Sequence, residues 1–356
     1  MREAGPPEVM RMEDVPIPQP SAGEVLVQVH AVSVNRTLDL AVRAGTYARA
    51  VRLPHVLGTD PSGIVVAVGE GVASRKVGDR VSVMARLRAA SPGRPPVMLG
   101  VDVWGGYAEY VAVPAEAARP IPDGLDFLTA TVVARHAPMA FGLLRDEARL
   151  QPGEWVVVMG AAGGLGAAGV QVAKLLGARV IAAAGAAERV EHAMELGADH
   201  GVDYRREDLT ARVREITGGR GADVVFENIA DPVLFPAAFL SLGRNGRLVT
   251  AGAHGGGTVP LDVSHLYLNR ITITGSTHHR PEDVEASLLA AAEGLYRVTI
   301  DQVLPLEEAA EAHRIVAGRS GLGKVMLVPS HNPVMPSHNP VVPLNNPVVP
   351  SRGSGE

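Results

Sequence analysis

The sequence predicts an α/β protein in which a small β-barrel is followed by a doubly wound parallel sheet. Short alternating strands, separated by glycine and proline, fill about the first 125 residues, as is typical of a barrel. From about Leu128, strands and helices alternate, as is typical of a parallel sheet covered on both faces. A glycine-rich turn then joins the first strand of that region to a helix, in the arrangement that binds a dinucleotide.

The first region is predicted to be a barrel because apolar and polar residues alternate along short segments. The predicted barrel strands are 24–35, 63–72, 77–85 and 105–114. The second region has continuous apolar runs, which are typical of strands buried on both faces. Its predicted strands are 154–160, 179–185, 200–204, 222–230, 246–252 and 270–276, with helices at 188–198 and 206–219 among them.

The last part of the chain is predicted to contain a helix, a strand, a second helix and a final strand, at 281–295, 299–306, 307–318 and 323–329. Three proline-rich repeats of seven residues follow, and they predict an extended, flexible tail. We therefore divide the chain into a first barrel part (1–128), a dinucleotide-binding domain (129–275), a return to the barrel domain (276–329) and a tail (330–356).

Composition restricts the class of protein. The balance of 46% hydrophobic and 20% charged residues is that of a soluble globular protein, and a net charge of −5 predicts neither a nucleic-acid nor a membrane partner. We expect no apolar segment near the ~20 residues that span a bilayer, and no signal peptide, which predicts a cytoplasmic protein. The chain has no cysteine, which excludes disulfides and thiolate zinc sites.

The glycine-rich turn is the clearest functional motif. Gly164, Gly166 and Gly169 have the G-x-G-x-x-G spacing, directly after a predicted strand and at the start of a predicted helix. Glycines allow the backbone to approach a pyrophosphate, and the N–H groups at the helix start attract its charge. We therefore expect Gly163 and Leu165, together with Gly164 and Gly166, to bind a cofactor.

The end of the next strand predicts which cofactor is bound. An NAD enzyme usually has an acidic residue there for the ribose, whereas this chain has Ala184 and Gly185, with no acid before Glu188. Arg189 follows and can pair with a 2′-phosphate. The pattern therefore predicts NADPH rather than NADH. The alternative for Arg189 is a solvated charge on a helix surface.

Taken together, these segments resemble the medium-chain dehydrogenase/reductase superfamily, and within it the zinc-free quinone oxidoreductases and enoyl reductases. The motifs that carry the resemblance include "GEVLVQVHAVSVN", "LPHVLGTDPSGIVVAVGEGV", "LQPGEWVVVMGAAGGLG" and "GKVMLVP". The resemblance implies a Rossmann doubly wound parallel sheet inserted into a GroES-like β-barrel catalytic domain, with the reaction in the cleft between them. It also implies a homodimer or homotetramer.

The resemblance adds further cofactor-binding residues. NADPH-using relatives carry a basic residue at the position of Arg189 and a tyrosine at that of Tyr204, both near the adenosine phosphate. Other positions line the nicotinamide side in these relatives. They correspond here to Asn228, Ala251, Gly252 and Ala253.

The chain departs from the zinc-dependent relatives at the catalytic metal. Asn35, Thr59 beside Asp60, and Arg135 stand where those relatives have zinc ligands, and an arginine there opposes a cation. We therefore expect no metal. Without a Lewis acid, a conjugated acceptor is easier to reduce than an isolated ketone, because the developing charge spreads onto an enolate.

Four residues are candidates for a catalytic role. Tyr47 could face the cleft, or lie on the barrel surface. Asn35 could bind substrate or the cofactor ribose, or be a structural amide. His136 could be a general acid with a pKa near neutral, or a structural histidine, and Arg135 could anchor an acidic or enolate oxygen. The segment 278–280 is expected to form a surface loop, or the rim of the pocket.

We therefore predict an NADPH-dependent oxidoreductase that acts, without zinc, on a small conjugated carbonyl or a quinone. One alternative is a zinc-free carbonyl or alcohol oxidoreductase, in which Tyr47 or His136 supplies the proton. Another is an NADPH-binding protein with a structural or sensing role and little turnover. Activity on enones but not on saturated ketones separates the first two, and the absence of any turnover would favour the third.

Overall fold

The computed structural model describes residues 1–89, 91, 94–318 and 321–330. The predicted tail therefore lies outside the described residues, apart from Ser330. The domain boundaries given above stay a prediction.

The predicted strands are present, and they are joined in most cases by the predicted helices. The strands are β1 (Glu24–Ser33), β2 (Ser62–Val68), β3 (Arg80–Val83), β4 (Arg86–Arg88), β5 (Val97–Met98), β6 (Tyr110–Pro114), β7 (Ala118–Pro120), β8 (Trp155–Met159), β9 (Arg179–Ala184), β10 (His200–Asp203), β11 (Ala222–Glu227), β12 (Leu242–Thr250), β13 (Thr272–Gly275), β14 (Ile300–Pro305) and β15 (Lys324–Val328). The helices are α1 (Ala41–Ala44), α2 (Phe127–Phe141), α3 (Gly164–Leu175), α4 (Ala187–Glu195), α5 (Leu209–Ile216), α6 (Leu234–Leu240), α7 (Val263–Leu268), α8 (Pro281–Ala292) and α9 (Ala309–Gly318). Shorter helical turns lie at Pro7–Val9, Arg36–Leu40, Gly142–Glu147 and Leu306–Glu308.

The barrel sheet joins the beginning and the end of the chain. Within the described residues its strands follow the order β14-β15-β1-β2-β3-β7, and β6 also pairs with β1. The last strand, β15, pairs antiparallel to β1, with Val32 opposite Leu327. The residues that enclose the barrel interior are valines and alanines such as Val27, Val65 and Val113, which are fully buried. The return of the chain to the barrel is therefore built into the sheet.

The second sheet is parallel, with the order β10-β9-β8-β11-β12-β13 among the described strands. Its central strand β8 sends alternate side chains to opposite faces, since neighbouring residues of a strand point in opposite directions. Val156 and Val158 belong to one buried cluster, whereas Val157 and Met159 belong to the other. Helices cover both faces, as the doubly wound prediction requires. The α/β fold class is thereby confirmed.

Helix α2 connects the two sheets and is part of the core. Asp126 caps its start, accepting a hydrogen bond from the Thr129 N–H at 2.8 Å. Together with the turn that follows it, the helix forms a segment of 21 residues, Phe127–Glu147, which by length and composition alone could cross a membrane. The segment is not a continuous apolar run, because Arg135, His136 and the charged residues 145–147 interrupt it, so the expectation of no membrane span stays a prediction. Burial within the protein explains the apolar character of this segment, since 61% of its most apolar window is buried.

Candidate active site

The glycine-rich turn follows β8 and leads into α3, as predicted. Gly160 has φ +63°, a left-handed conformation that favours glycine. A side chain at Gly166 would collide with the carbonyl oxygen of Gly160, and one at Gly169 would come within 3.0 Å of the Phe226 ring. Gly163 and Gly164 are exposed at the start of α3, where the first N–H groups have no partner within the helix. The turn can therefore receive an anion.

The end of β9 carries no acidic side chain, and it packs against Tyr204 of the neighbouring strand end. Gly185 faces the ring of Tyr204, since a Cβ at Gly185 would lie 2.9 Å from the tyrosine hydroxyl oxygen. Burial raises the pKa of Tyr204, whereas the nearby charges of Arg205 and Arg189 lower it. Arg189 and Tyr204 thus lie close together beside Gly185, and Glu188 is exposed in the first turn of α4.

The neighbouring strands β11 and β12 complete this edge of the sheet. The amide nitrogen of Asn228 donates a hydrogen bond to the Met159 carbonyl at 2.6 Å, which fixes the side chain at the end of β8. A side chain at Gly252 would collide with the Asn228 carbonyl oxygen, so the backbone after β12 lies directly against that residue. Ala251 is half-buried beside it, and Ala253 is exposed.

A buried carboxylate that sequence reasoning missed holds the loop after β11. Glu227 is 1% exposed, and it accepts hydrogen bonds from the N–H groups of Ile229 and Ala230 at 2.9 and 3.0 Å. Burial raises the pKa of Glu227, and these two backbone donors oppose that change. The sequence feature that could have identified Glu227 is an acidic residue at the end of an otherwise apolar strand.

His136 of α2 lies against the glycine turn. A Cβ at Gly164 would be 2.7 Å from the Nε2 atom of His136, and that atom is buried without a hydrogen-bond partner. Burial, with the charges of Lys324 and Arg135, lowers the pKa of His136 well below its ordinary value. The expectation of a pKa near neutral was therefore wrong, since this imidazole is neutral at pH 7. It can donate or accept a hydrogen bond but is a poor acid.

A polar network lies in the barrel part of the chain, close enough to His136 for the charge of Lys324 to act on that imidazole. Asn35 is 3% exposed, and its amide oxygen accepts a hydrogen bond from the Lys324 ammonium group at 2.8 Å. Its amide nitrogen donates to Asp60 Oδ2 at 2.9 Å and lies 3.3 Å from Thr59 Oγ1. Both ends of the amide are thus engaged within the protein, which favours the structural reading of Asn35.

Lys324 is the second residue that sequence reasoning missed, although it belongs to the quoted motif "GKVMLVP". Its ammonium group also donates to the Val34 carbonyl at 3.2 Å. Burial lowers the pKa of Lys324 to about 8, while the charge of Asp60 raises it. In the same network, burial and the charge of Asp60 raise the pKa of Asp39 to about 7.

The donor set at this network does not fit a zinc ion. The structure brings together Asn35, Thr59 and Asp60, as the resemblance to zinc-dependent relatives implied. Asp60 is the one anion of the three, and both of its oxygens already accept hydrogen bonds from Ser33 or Asn35. The amide oxygen of Asn35 already accepts from Lys324, and the charges of Lys324 and Arg135 both act on the His136 imidazole nearby. Among the described residues, no group of three His, Cys, Asp or Glu could hold a metal.

Two further candidates lie in different surroundings. Tyr47 is half-buried in a groove that it shares with Met1, Val42 and Arg49, all from the N-terminal part of the barrel. Arg135 is half-buried on α2, with a buried Nε atom that has no hydrogen-bond partner. The glycine turn, Gly185, Asn228 and Ala251–Ala253 therefore share one edge of the parallel sheet, with His136 beside them, whereas Tyr47 lies in the barrel groove.

Comparison with known families agrees with both parts of the fold. Residues 21–123 match the alcohol dehydrogenase GroES-like domain, and residues 164–293 match the zinc-binding dehydrogenase family. The quinone oxidoreductase of Sus scrofa is 32% identical over 334 residues, which cover 91% of this chain and 95% of that protein.

Solved structures of similar fold include enzymes with different cofactors. The crystal structure of an NAD-dependent alcohol dehydrogenase is 35% identical, with a TM-score of 0.84, over 92% of this chain and 98% of that one. The structure of Escherichia coli quinone oxidoreductase complexed with NADPH is 28% identical, with a TM-score of 0.78, over 92% of this chain and 98% of that one.

Proposed function

The chain belongs to the medium-chain dehydrogenase/reductase superfamily as a quinone oxidoreductase-like member, and we propose that it reduces a conjugated carbonyl or a quinone with NADPH and without zinc. The observation that carries this proposal is the glycine turn beside His136, together with a strand end at Ala184 and Gly185 that carries no acidic side chain. Its quinone oxidoreductase relatives support an oxidoreductase acting on a small molecule.

The residues at the sheet edge fit a dinucleotide. The N–H groups at the start of α3 would hold the pyrophosphate, and Gly163, Gly164, Leu165 and Gly166 leave room for it. Arg189 and Tyr204 would hold the adenosine phosphate beside Gly185. Asn228 and Ala251–Ala253 would line the nicotinamide side. When bound, NADPH supplies the hydride.

The reduction of a conjugated acceptor puts negative charge on an oxygen, and the cleft offers positive charge to that oxygen. Arg135 is a permanent cation, so its charge stabilises an enolate without a metal. The neutral imidazole of His136 can donate one hydrogen bond beside it. Tyr47 stays a candidate proton donor. Its position in the barrel groove favours the alternative, a tyrosine on the barrel surface.

The cofactor preference is tested by measuring dissociation constants for NADPH and NADH by fluorescence titration. We expect NADPH to bind at least tenfold more tightly, because the end of β9 has no acid to repel a 2′-phosphate. Arg189→Ala should reduce that ratio at least fivefold by weakening NADPH alone. Equal affinities in the parent protein would contradict the proposal.

The reaction class is tested with the same protein and two sets of acceptors. Oxidation of NADPH by enones or quinones, but not by saturated ketones, would support the proposal. Activity on saturated ketones would favour a carbonyl or alcohol oxidoreductase, and tight NADPH binding with no turnover would favour a structural or sensing role.

We also propose that a second copy of the chain pairs with this one along the edge of the parallel sheet. Strand β13 is the outer strand of that sheet among the described residues, and Ile273 on it is exposed. The adjacent helix α7 exposes Val263, Tyr267 and Leu268, each at 60% or more. An uncovered apolar strand edge favours pairing with another chain. A homodimer or homotetramer should therefore appear by light scattering, and a monomeric mass would contradict this.

A further inference from the structure

Three buried nitrogen atoms without hydrogen-bond partners lie on two segments that meet beside the cleft. They are Nε of Arg135, Nε2 of His136 and Nδ1 of His279. The first two belong to α2, and His279 belongs to the segment that follows β13. These segments are in direct contact, because a side chain at Gly142 would collide with the carbonyl oxygen of His278. Arg135 links the three residues, because its charge acts on both imidazoles.

The charge around these nitrogens is positive. Burial is the main reason that the pKa of His279 falls to about 4, and the charges of Arg86 and Arg135 lower it further. Arg135 also lowers the pKa of His136, so its guanidinium group acts on both imidazoles. Arg86 is held at the same segment by a hydrogen bond to the Thr277 carbonyl at 2.9 Å.

The nearby acidic group is already engaged. Asp283 is the one carboxylate that raises the pKa of His279, but both of its oxygens accept hydrogen bonds from Arg145, at 2.7 and 3.0 Å. No ion pair found among the described residues includes Arg135. Buried polar groups without partners are costly, and a positive cluster of them favours an anion.

We propose that Arg135, with His136 and His279, forms a subsite for a carboxylate carried by the substrate. This inference rests on the proposed function and narrows it to conjugated acceptors that bear an acidic group. Arg135 supplies the charge through its planar guanidinium group, and each neutral imidazole can donate one N–H to a carboxylate oxygen. The remaining nitrogens of the cleft wall, on Lys324 and Asn35, are occupied within their own network.

The test compares 4-oxopent-2-enoate with its methyl ester, which share the conjugated acceptor and differ in charge. The full-length protein with NADPH should use the acid with a kcat/KM at least tenfold above that for the ester. Arg135→Gln should raise the KM for the acid at least tenfold and leave the KM for the ester within twofold, whereas any loss of kcat from weaker enolate stabilisation should be the same for both substrates. Arg135→Lys, which keeps the charge, should retain part of the preference.

A matched control is Arg244→Gln, which removes an exposed arginine near the start of β12, at the other end of that strand from Ala251–Ala253. It should leave both substrates unchanged. An equal kcat/KM for acid and ester in the parent protein would overturn the proposal. So would a parallel loss of NADPH affinity and of activity on both substrates in Arg135→Gln, since the charge would then serve the cofactor phosphates.

A binding measurement separates this inference from the proposed function. The saturated acid 4-oxopentanoate has no conjugated bond to reduce, so calorimetry can follow its binding whether or not turnover occurs. We expect binding to the parent protein and at least a tenfold weaker interaction with Arg135→Gln. Arg135-dependent binding without turnover of either substrate would overturn the proposed function and uphold the subsite. Equal binding to both proteins would overturn the subsite.

Discussion

The two walls of the cleft are built in different ways. The wall on the parallel sheet consists of backbone and small residues, because Gly164, Gly166 and Gly252 each lie against another residue with no room for a side chain. The wall on the barrel consists of side chains, in which Lys324, Asn35 and Asp60 satisfy one another. A backbone surface tolerates almost no added atom, whereas a side-chain network depends on the charge and length of each member.

The largest expected effect is the loss of the barrel network's cation. Lys324→Met leaves the Asn35 amide oxygen without its donor and leaves Asp60 without a neighbouring positive charge. We expect a loss of about 3 kcal/mol in the free energy of unfolding, as when a charged donor is removed from a buried hydrogen-bond network. Urea denaturation measures it.

Lys174→Met is the matched control, since Lys174 forms an ion pair with Asp199 in which both side chains are 35% exposed. An exposed pair of this kind contributes about 0.5 kcal/mol. Adding Asp60→Asn to Lys324→Met should recover part of the loss, because the uncompensated charge is then removed. Strictly additive losses would show that the two groups do not interact.

A smaller effect is expected from added volume on the sheet wall. Gly166→Val forces the turn away from the Gly160 carbonyl, so NADPH affinity should fall about 100-fold, or about 2.7 kcal/mol. Gly318→Ala is the control, because this glycine ends α9 away from the turn and nothing lies within 4 Å of an added Cβ. That variant should bind NADPH within about threefold of the parent. Fluorescence titration measures the NADPH dissociation constant of each variant, on proteins whose thermal unfolding is unchanged. Near-normal binding by Gly166→Val would contradict a binding surface made of backbone.

The smallest effect is a pH dependence of the free energy of unfolding, which we expect from a buried imidazole on the barrel side. His313 in α9 is fully buried, and burial with the charge of Arg43 lowers its pKa to about 3. Because the unfolded chain binds a proton near pH 6.5 and the folded one does not, stability falls as the pH drops below 6.5. Between pH 6.5 and 5 this one group should cost about 1.5 kcal/mol.

His313→Gln should flatten the pH dependence of the free energy of unfolding by that amount. Tyr107→Phe removes the hydroxyl that lies 3.2 Å from His313 Nε2 but keeps the imidazole, so its slope should match the parent. Identical slopes for the parent and His313→Gln would show that this histidine is protonated when folded.

The same contrast explains what the sequence could predict. The sheet wall was predictable because its chemistry is local, with Gly164, Gly166 and the preceding strand within one short segment. The barrel wall was not, since Asn35 and Lys324 are 289 positions apart and their hydrogen bond follows from the pairing of β1 with β15. The pKa of His136 could not be predicted from the sequence either, because it depends on burial and on the charges of two other residues.

The pairing of β1 with β15 has a consequence for synthesis on the ribosome. Strands β8 to β13 are close in sequence, so the parallel sheet can assemble while the chain is still being made. Most of strand β1 can pair early with β2 and β6, but its last two residues, Val32 and Ser33, wait for almost the entire chain before β15 emerges. During that interval the end of β1 and the amide oxygen of Asn35 lack their partners, so we expect a stage in which the parallel sheet is complete and the barrel sheet is still open at this edge.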